Sequence, residues 1–304
     1  MGEADQSSAF PAATNDFLEA ALIPEDWGGD GRGRMNLSGR RTAIAFGNSE
    51  APASEYVPRQ YQLFDSHRVP EQAWQIQGIP EQPAICRMLS WNDHGASTAK
   101  VLLPAQFEIP AGRFTADLEI FVLSGAIQVG AWKLSKHCYS FIPAGVRVGD
   151  WKVLNGESAE VLWMENGRLQ YQDLPNHPEA RLGEYIPVLD SKLLPWGKTD
   201  TAQFIAANKK WLRKAANGGG VWLLALLPHY DGKQMMIQSY NEEAYGLAGW
   251  CDIGDYRFAK NHFCYSPSFS TLPRHISEDG GLFFVRVDRD LSQAGTVLSY
   301  GHSG

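Results

Sequence analysis

Glu119-Ile120-Phe121-Val122-Leu123-Ser124-Gly125 and Glu243-Ala244-Tyr245-Gly246-Leu247-Ala248-Gly249 are one pattern written twice. Each is a glutamate followed by an apolar run that closes on glycine. They lie 124 residues apart, and Leu102-Leu103-Pro104 with Leu226-Leu227-Pro228, and Gly130 with Gly254, keep that spacing. Beyond them, Cys138-Tyr139-Ser140 aligns with Cys264-Tyr265-Ser266 at a spacing of 126, which predicts two extra residues in the second hairpin. A repeat this long implies two homologous domains. Solenoid units are shorter, roughly 20–50 residues.

The residues around the repeat predict an all-β chain. Short apolar runs such as Ala99-Lys100-Val101-Leu102-Leu103, Val161-Leu162-Trp163-Met164 and Leu282-Phe283-Phe284-Val285 alternate with Gly and Pro turns. The 10 Trp, 11 Tyr and 14 Phe favour strands as well. Phe204, Ile205, Trp211 and Leu212 suggest one short helical insertion over 201–216. The expected organisation is an irregular N-terminal extension (1–58), a first domain (59–175), a second domain (183–292) and a tail (293–304).

Composition excludes several function classes. With 27 basic and 34 acidic residues the net charge is -7, unfavourable for nucleic acid or an anionic membrane. No apolar run approaches the ~20 residues of a membrane helix. The four cysteines form no CxxC pair, so a zinc knuckle is unsupported. The first 18 residues lack the basic and apolar regions of a secretory signal, so a cytoplasmic protein with reduced thiols is expected.

The repeated glutamate-to-glycine runs, with Phe141-Ile142-Pro143-Ala144-Gly145-Val146, resemble the two sequence motifs of the cupin superfamily. Trp222-Leu223-Leu224-Ala225-Leu226-Leu227-Pro228 is similar to the opening strand of cupins in zinc-binding anti-sigma factors and uncharacterised two-cupin proteins. The resemblance covers about residues 60–170 and 183–290. It implies a bicupin: two antiparallel jelly-roll barrels, each with an interior pocket. Cupins hold metals with a His-x-His pair, a Glu and a later His. The resemblance places the His-x-His pair near Thr115 and Asp117, and near Ser239 and Asn241, where no histidine stands. The later His falls near Val148. Only the glutamates survive, so no cofactor is expected. The alternative is a divalent Fe, Mn or Zn held by His229, Glu243 and His275 in the second barrel.

Strand alternation puts Glu119, Phe121 and Leu123 on one face, with Thr115 and Asp117 in phase if the strand is continuous. If that face lines the barrel, Glu119 and Asp117 share a pocket. Coupling would then raise one carboxyl pKa and yield a metal-free acid–base pair. Alternatively, Glu119 braces the barrel through hydrogen bonds to backbone or Arg147. Asn241 replaces the second carboxylate beside Glu243. Catalytic candidates are therefore Glu119, Asp117 and Glu243. Pocket candidates are Thr115, Phe121, Tyr139, Arg147, Asn241, Tyr245 and Tyr265.

The expected function is that of a small-molecule enzyme acting on an apolar or aromatic metabolite, as a metal-independent isomerase, cyclase or dehydratase. Two alternatives stand beside it: a non-catalytic binding or sensor protein, and a metal-dependent dioxygenase using nonstandard ligands in the second barrel. Carboxylate chemistry favours the first barrel and a metal favours the second. A homodimer is the expected assembly.

Overall fold

The computed structural model of the chain describes residues 62–80, 83–92, 94–199, 206–216, 218–232, 236–237, 240–254, 256–267, 271–272 and 274–288. The expected extension and tail, residues 201–205 and Ser239 lie outside the described residues. The architecture is all-β with antiparallel pairing. Among the described residues, no helix is long and apolar enough to cross a membrane.

Two large sheets organise the molecule. In the first, the strands run Ile186–Asp190, Cys138–Ile142, Leu118–Ser124, Ala159–Asn166, Ala96–Leu103, Ile85–Trp91 and Gln72–Ala73. The main path of the second runs Gln62–Asp65, His262–Ser266, Glu242–Ile253, Gly281–Val287, Gly220–Leu226, Ala207–Lys214 and Gly197–Lys198. The central strands are buried on both faces, which is why they read as nearly continuous apolar runs. Leu118, Ile120 and Val122 point into a core within the first half, with Trp74, Trp151 and Trp163. Phe121 points the other way, into a core shared with Phe284 of the second sheet, the rings 4.9 Å apart. A third core, with Trp222, Ala244 and Phe283, fills the second half. Each large sheet thus has a barrel core on one side and the shared core on the other.

The halves also exchange strands. Gln62–Asp65 precedes the first barrel in the chain but pairs with His262–Ser266 of the second sheet. Ile186–Asp190 precedes the second barrel but pairs with Cys138–Ile142 of the first. Each strand covers an edge that would otherwise expose unpaired N–H and C=O groups.

Two sequence expectations are corrected. The helical insertion is a strand: Ala207–Lys214 pairs along its length with Gly220–Leu226. Its apolar residues alternate between two buried faces, with Leu212 in the shared core and Trp211 against the second barrel core. The second hairpin carries no extra residues. Glu119 pairs with Phe141 and Glu243 with Tyr265, so the 124-residue spacing continues through the hairpin. The left-handed turn residues His137 (φ 70°) and Asn261 (φ 66°) keep the same spacing. The recurrence of Cys-Tyr-Ser is therefore out of structural register, and Cys138 corresponds to His262.

The exchange predicts mutual dependence of the halves. With the chain cut between Gln172 and Leu182, each half expressed alone should aggregate and the two co-expressed should copurify one to one. Size-exclusion chromatography checks this. Two independently soluble monomers would contradict it.

Candidate functional site

The repeated glutamates face the shared core, not the barrel interiors. Glu119 sits in a cross-strand row Ser90, Thr98, Met164, Glu119. Glu243 sits in the equivalent row Arg213, Val221, Arg286, Glu243. The rows meet across the interface. Arg286 is fully buried and donates from Nε to Glu119 and from Nη1 to Glu243, each at 3.2 Å. Its Nη2 donates to Asn166 Oδ1 at 2.7 Å. Glu119 also accepts from the Tyr139 hydroxyl and pairs with Arg213 at 3.8 Å. Glu243 accepts from Ser90 Oγ and, at 2.8 Å, from Thr98 Oγ1.

The electrostatics suit a permanent brace. Burial alone would lower the Arg286 pKa, but Glu119 and Glu243 outweigh it and raise the value. Burial, then the charge of Glu119, pushes the Tyr139 hydroxyl well above its usual range. Arg286 thus stays charged and Tyr139 neutral. At 0% and 2% exposure, Glu119 and Glu243 cannot meet a substrate.

The remaining sequence candidates are dispersed. The strand begins at Leu118, so Asp117 does not continue the face of Glu119. Asp117 instead accepts from Arg181 at 2.6 and 2.7 Å and from the Ala144 N–H at 2.8 Å. Thr115 is exposed and donates to the Arg168 carbonyl. Arg147 holds Asp173 and the Leu174 carbonyl, not Glu119. Asn241 bonds Asp288. Phe121, Tyr139, Tyr245 and Tyr265 belong to the shared core. His229 occupies an exposed left-handed turn (φ 62°). His275 pairs with Gly232 and Ile253, while Glu243 lies ten positions along that strand from Ile253, about 30 Å away. The proposed His229–Glu243–His275 set is not brought together.

The barrel interiors are unequal. In the first, the inward row Met88, Ala99, Trp163, Ile120 carries its bulk on Trp163, packed at 4.8 Å against Trp74 and 5.6 Å against Trp151. The equivalent row of the second is Trp211, Trp222, Val285, Ala244. By the same register, Lys209 stands where the first barrel has Cys86, and Glu242 where it has Leu118. Two apolar positions have become a cation and a carboxyl.

These groups form the candidate site. Lys209 is buried, with Nζ 3.8 Å from the Trp211 ring centroid and 4.1 Å from that of Trp222. Both indole faces attract the ammonium group. Burial raises the Glu242 pKa to about 7, with the Lys209 charge opposing the shift. Tyr240, buried nearby, is pushed well above its usual range by burial and then by the Glu242 charge. Glu242 keeps partial exposure, so this end of the barrel is reachable. Burial also raises the Cys251 thiol well above its usual value, which leaves it a neutral core group.

Lys209 and Glu242 are absent from the sequence candidates for identifiable reasons. The helix expectation hid Lys209. Glu242 and Glu243 are adjacent, and alternation sends only one into each core; the repeated glutamate is the one that faces away from the barrel. The available signal was the Leu118-to-Glu242 change at an inward position.

A divalent metal does not fit this donor set. Among the described residues, no group of three or more His, Cys, Asp or Glu stands together. The barrel carboxyl neighbours an ammonium, which disfavours a second cation.

Comparisons agree with the fold. The family described as "Domain of unknown function (DUF4437)" matches residues 67–294. No curated protein matches the chain. A crystal structure from Nostoc punctiforme PCC 73102, described as a "putative dioxygenase", is 66% identical, with a TM-score of 0.79 covering 92% of this chain and 97% of that one. Oxalate decarboxylase from Bacillus subtilis is 9% identical, with a TM-score of 0.51 covering 77% of each chain. A "putative glyoxylate induced protein" from Pseudomonas aeruginosa is 12% identical, with a TM-score of 0.54 covering 83% of this chain and 97% of that one. The last two likenesses concern the fold alone, which is that of the cupins.

The brace predicts a non-additive mutation series. Arg286→Met, which installs the residue of the equivalent position 164, should cost about 3–5 kcal/mol by leaving buried carboxylates without their shared cation. Adding Glu119→Gln and Glu243→Gln should recover much of that loss in urea unfolding.

Proposed function

The chain belongs to the DUF4437 family, and from that membership and the geometry above we propose a small-molecule enzyme whose acid–base chemistry sits inside the second barrel. The observation that carries this reading is the contrast between interiors: the first sets Glu165 against the Trp163 indole within apolar and aromatic packing, while the second sets Glu242 beside the buried cation Lys209.

Glu242 suits proton transfer because its pKa of about 7 leaves both forms populated near neutrality. Its carboxylate takes a proton from a substrate carbon, and the electron pair of the broken C–H bond moves into the substrate as an enolate-type anion. Lys209 stabilises that anion electrostatically. Return of the proton to another carbon completes an isomerisation. Delivery to a leaving hydroxyl releases water and completes a dehydration. Trp211 and Trp222 fix the ammonium and supply apolar wall. The reaction class stays that of a metal-independent isomerase, cyclase or dehydratase, with its residues reassigned from Glu119, Asp117 and Glu243.

A second reading rests on the 66% identity to the Nostoc protein described as a dioxygenase. Stoichiometric Fe or Mn in purified protein, measured by elemental analysis, would favour that reading and overturn the metal-free one. Tight metabolite binding without turnover would favour a sensor.

The Glu242 pKa predicts two pH effects. With Glu242 as base, turnover should rise through about pH 7, and Glu242→Gln should lower kcat at least a hundredfold. For stability, the unfolded carboxyl ionises near pH 4.5 and the folded one near 7. The folded state binds the extra proton between these values, so this group's contribution to stability falls as pH rises through that window. Glu242→Gln should flatten that part of the decline, read as the difference between variant and wild-type urea unfolding from pH 5 to 8. Glu165, raised by burial to about 7, contributes with the same sign in both proteins and cancels in the difference.

A further inference from the structure

We propose that the Tyr240 hydroxyl completes the second-barrel site by donating to a substrate carbonyl oxygen, so that the substrates are carbonyl compounds with a hydrogen on the adjacent carbon. This names the substrate class of the reading above and rests on it.

Three observations carry the assignment. Tyr240 lies two residues before Glu242 and packs in the second barrel core with Ala244. The Asn166 N–H donates to the Asp117 carbonyl and the Asp288 N–H to the Asn241 carbonyl, so the 124-residue spacing holds here too. Tyr240 and Glu242 therefore stand where the first repeat has Ala116 and Leu118, which pack at its own barrel core. Two aliphatic groups have become a phenol and a carboxyl. The second observation is the hydroxyl itself. Tyr240 is 3% exposed, and its hydroxyl makes no hydrogen bond among the described residues. A buried phenol ordinarily finds a partner. Burial, then the charge of Glu242, holds its pKa well above the usual range, so it keeps its proton to donate near neutrality. The third observation is the clamp between the two groups. The Asn241 N–H and Nδ2 donate to the buried Asp288 carboxylate at 2.9 and 2.6 Å, which fixes the backbone from which both side chains project. Glu242, as carboxylate, takes the proton from the substrate carbon. The C–H electron pair forms a C=C bond and the carbonyl π pair moves onto oxygen. Tyr240 keeps its own proton and hydrogen-bonds the enolate oxygen, an interaction stronger with the developing charge than with the neutral carbonyl. Return of the proton from Glu242 to carbon restores a neutral product and the carboxylate.

The test uses the full chain carrying Glu242→Gln and labelled with 5-fluorotryptophan. The neutral amide stands in for the Glu242 carboxyl once it holds the substrate's proton. The Trp222 fluorine signal, assigned with Trp222→Phe, reports entry into the barrel, whose core Trp222 shares with Tyr240. The probes are 4-nitrophenol, whose ionised form carries charge on oxygen as an enolate does, and 4-nitrotoluene, which has a methyl group in place of that oxygen. Adding Tyr240→Phe should weaken nitrophenolate binding about tenfold, the worth of a hydrogen bond to a charged group, and leave nitrotoluene binding unchanged. The same substitution deletes a hydroxyl that has no partner, so the urea midpoint should hold or rise. A fall in that midpoint, failure to fold included, would show the hydroxyl bonded within the protein and overturn its assignment. Equal loss for both probes, or no loss for nitrophenolate, would also overturn it while leaving the Glu242 site standing. No movement of the Trp222 signal with either probe would overturn both the assignment and the proposed function.

Discussion

One buried guanidinium holds the two halves in register. Arg286 bonds a glutamate from each repeat, and all three groups are buried. Such a group contributes little net stability compared with an apolar substitute, because desolvating three charges offsets most of their attraction. It does impose geometry. A slip of one residue would point Arg286 into a barrel core and leave Glu119 and Glu243 among aromatic rings. The equivalent rows meet only one way: Ser90 and Thr98 satisfy Glu243, while Arg213 and Arg286 satisfy Glu119. The repeated residue is the carboxylate. The cations stand only in the second half, opposite Ser90 and Met164 in the first.

That asymmetry extends through the sheets. Around Trp163, the first barrel is packed by Trp74 and Trp151. The second carries Val285 at the Trp163 position and places its indoles on the two neighbouring strands, where they flank Lys209. Both halves thus hold an inward carboxyl, Glu165 in the first and Glu242 in the second, and the second places Lys209 with it inside a shell of the same topology. The exchanged strands at 62–65 and 186–190 bind each half to the other.

The fold was legible because β structure repeats at short range. Alternation, turn glycines and the 124-residue spacing are local or pairwise signals, and Gly125, Gly130, Gly249 and Gly254 all adopt the positive φ that their turns require. The helix at 201–216 misread a strand whose two faces are both buried, where period 2 is masked. The site was less legible for a different reason. Alternation says which residues share a face, but it does not say which face looks into the barrel when both are covered. Glu119 and Phe121 were rightly placed together and assigned to the wrong side. Only the second sheet decides that question, by supplying Phe284 and Arg286 more than 160 residues further on.

The adjacency of Glu242 and Glu243 ties brace and site together. They are consecutive on one strand and point to opposite faces. Glu243 is anchored by Arg286, Ser90 and Thr98, which fixes the backbone from which Glu242 projects. Proton transfer tolerates only small errors in donor–acceptor distance, so a carboxyl on a restrained central strand is better positioned than one on a loop. The buried charges at the interface therefore do more than align two sheets. They hold the strand that carries the barrel's acid, and they do so from a core that solvent and substrate do not enter.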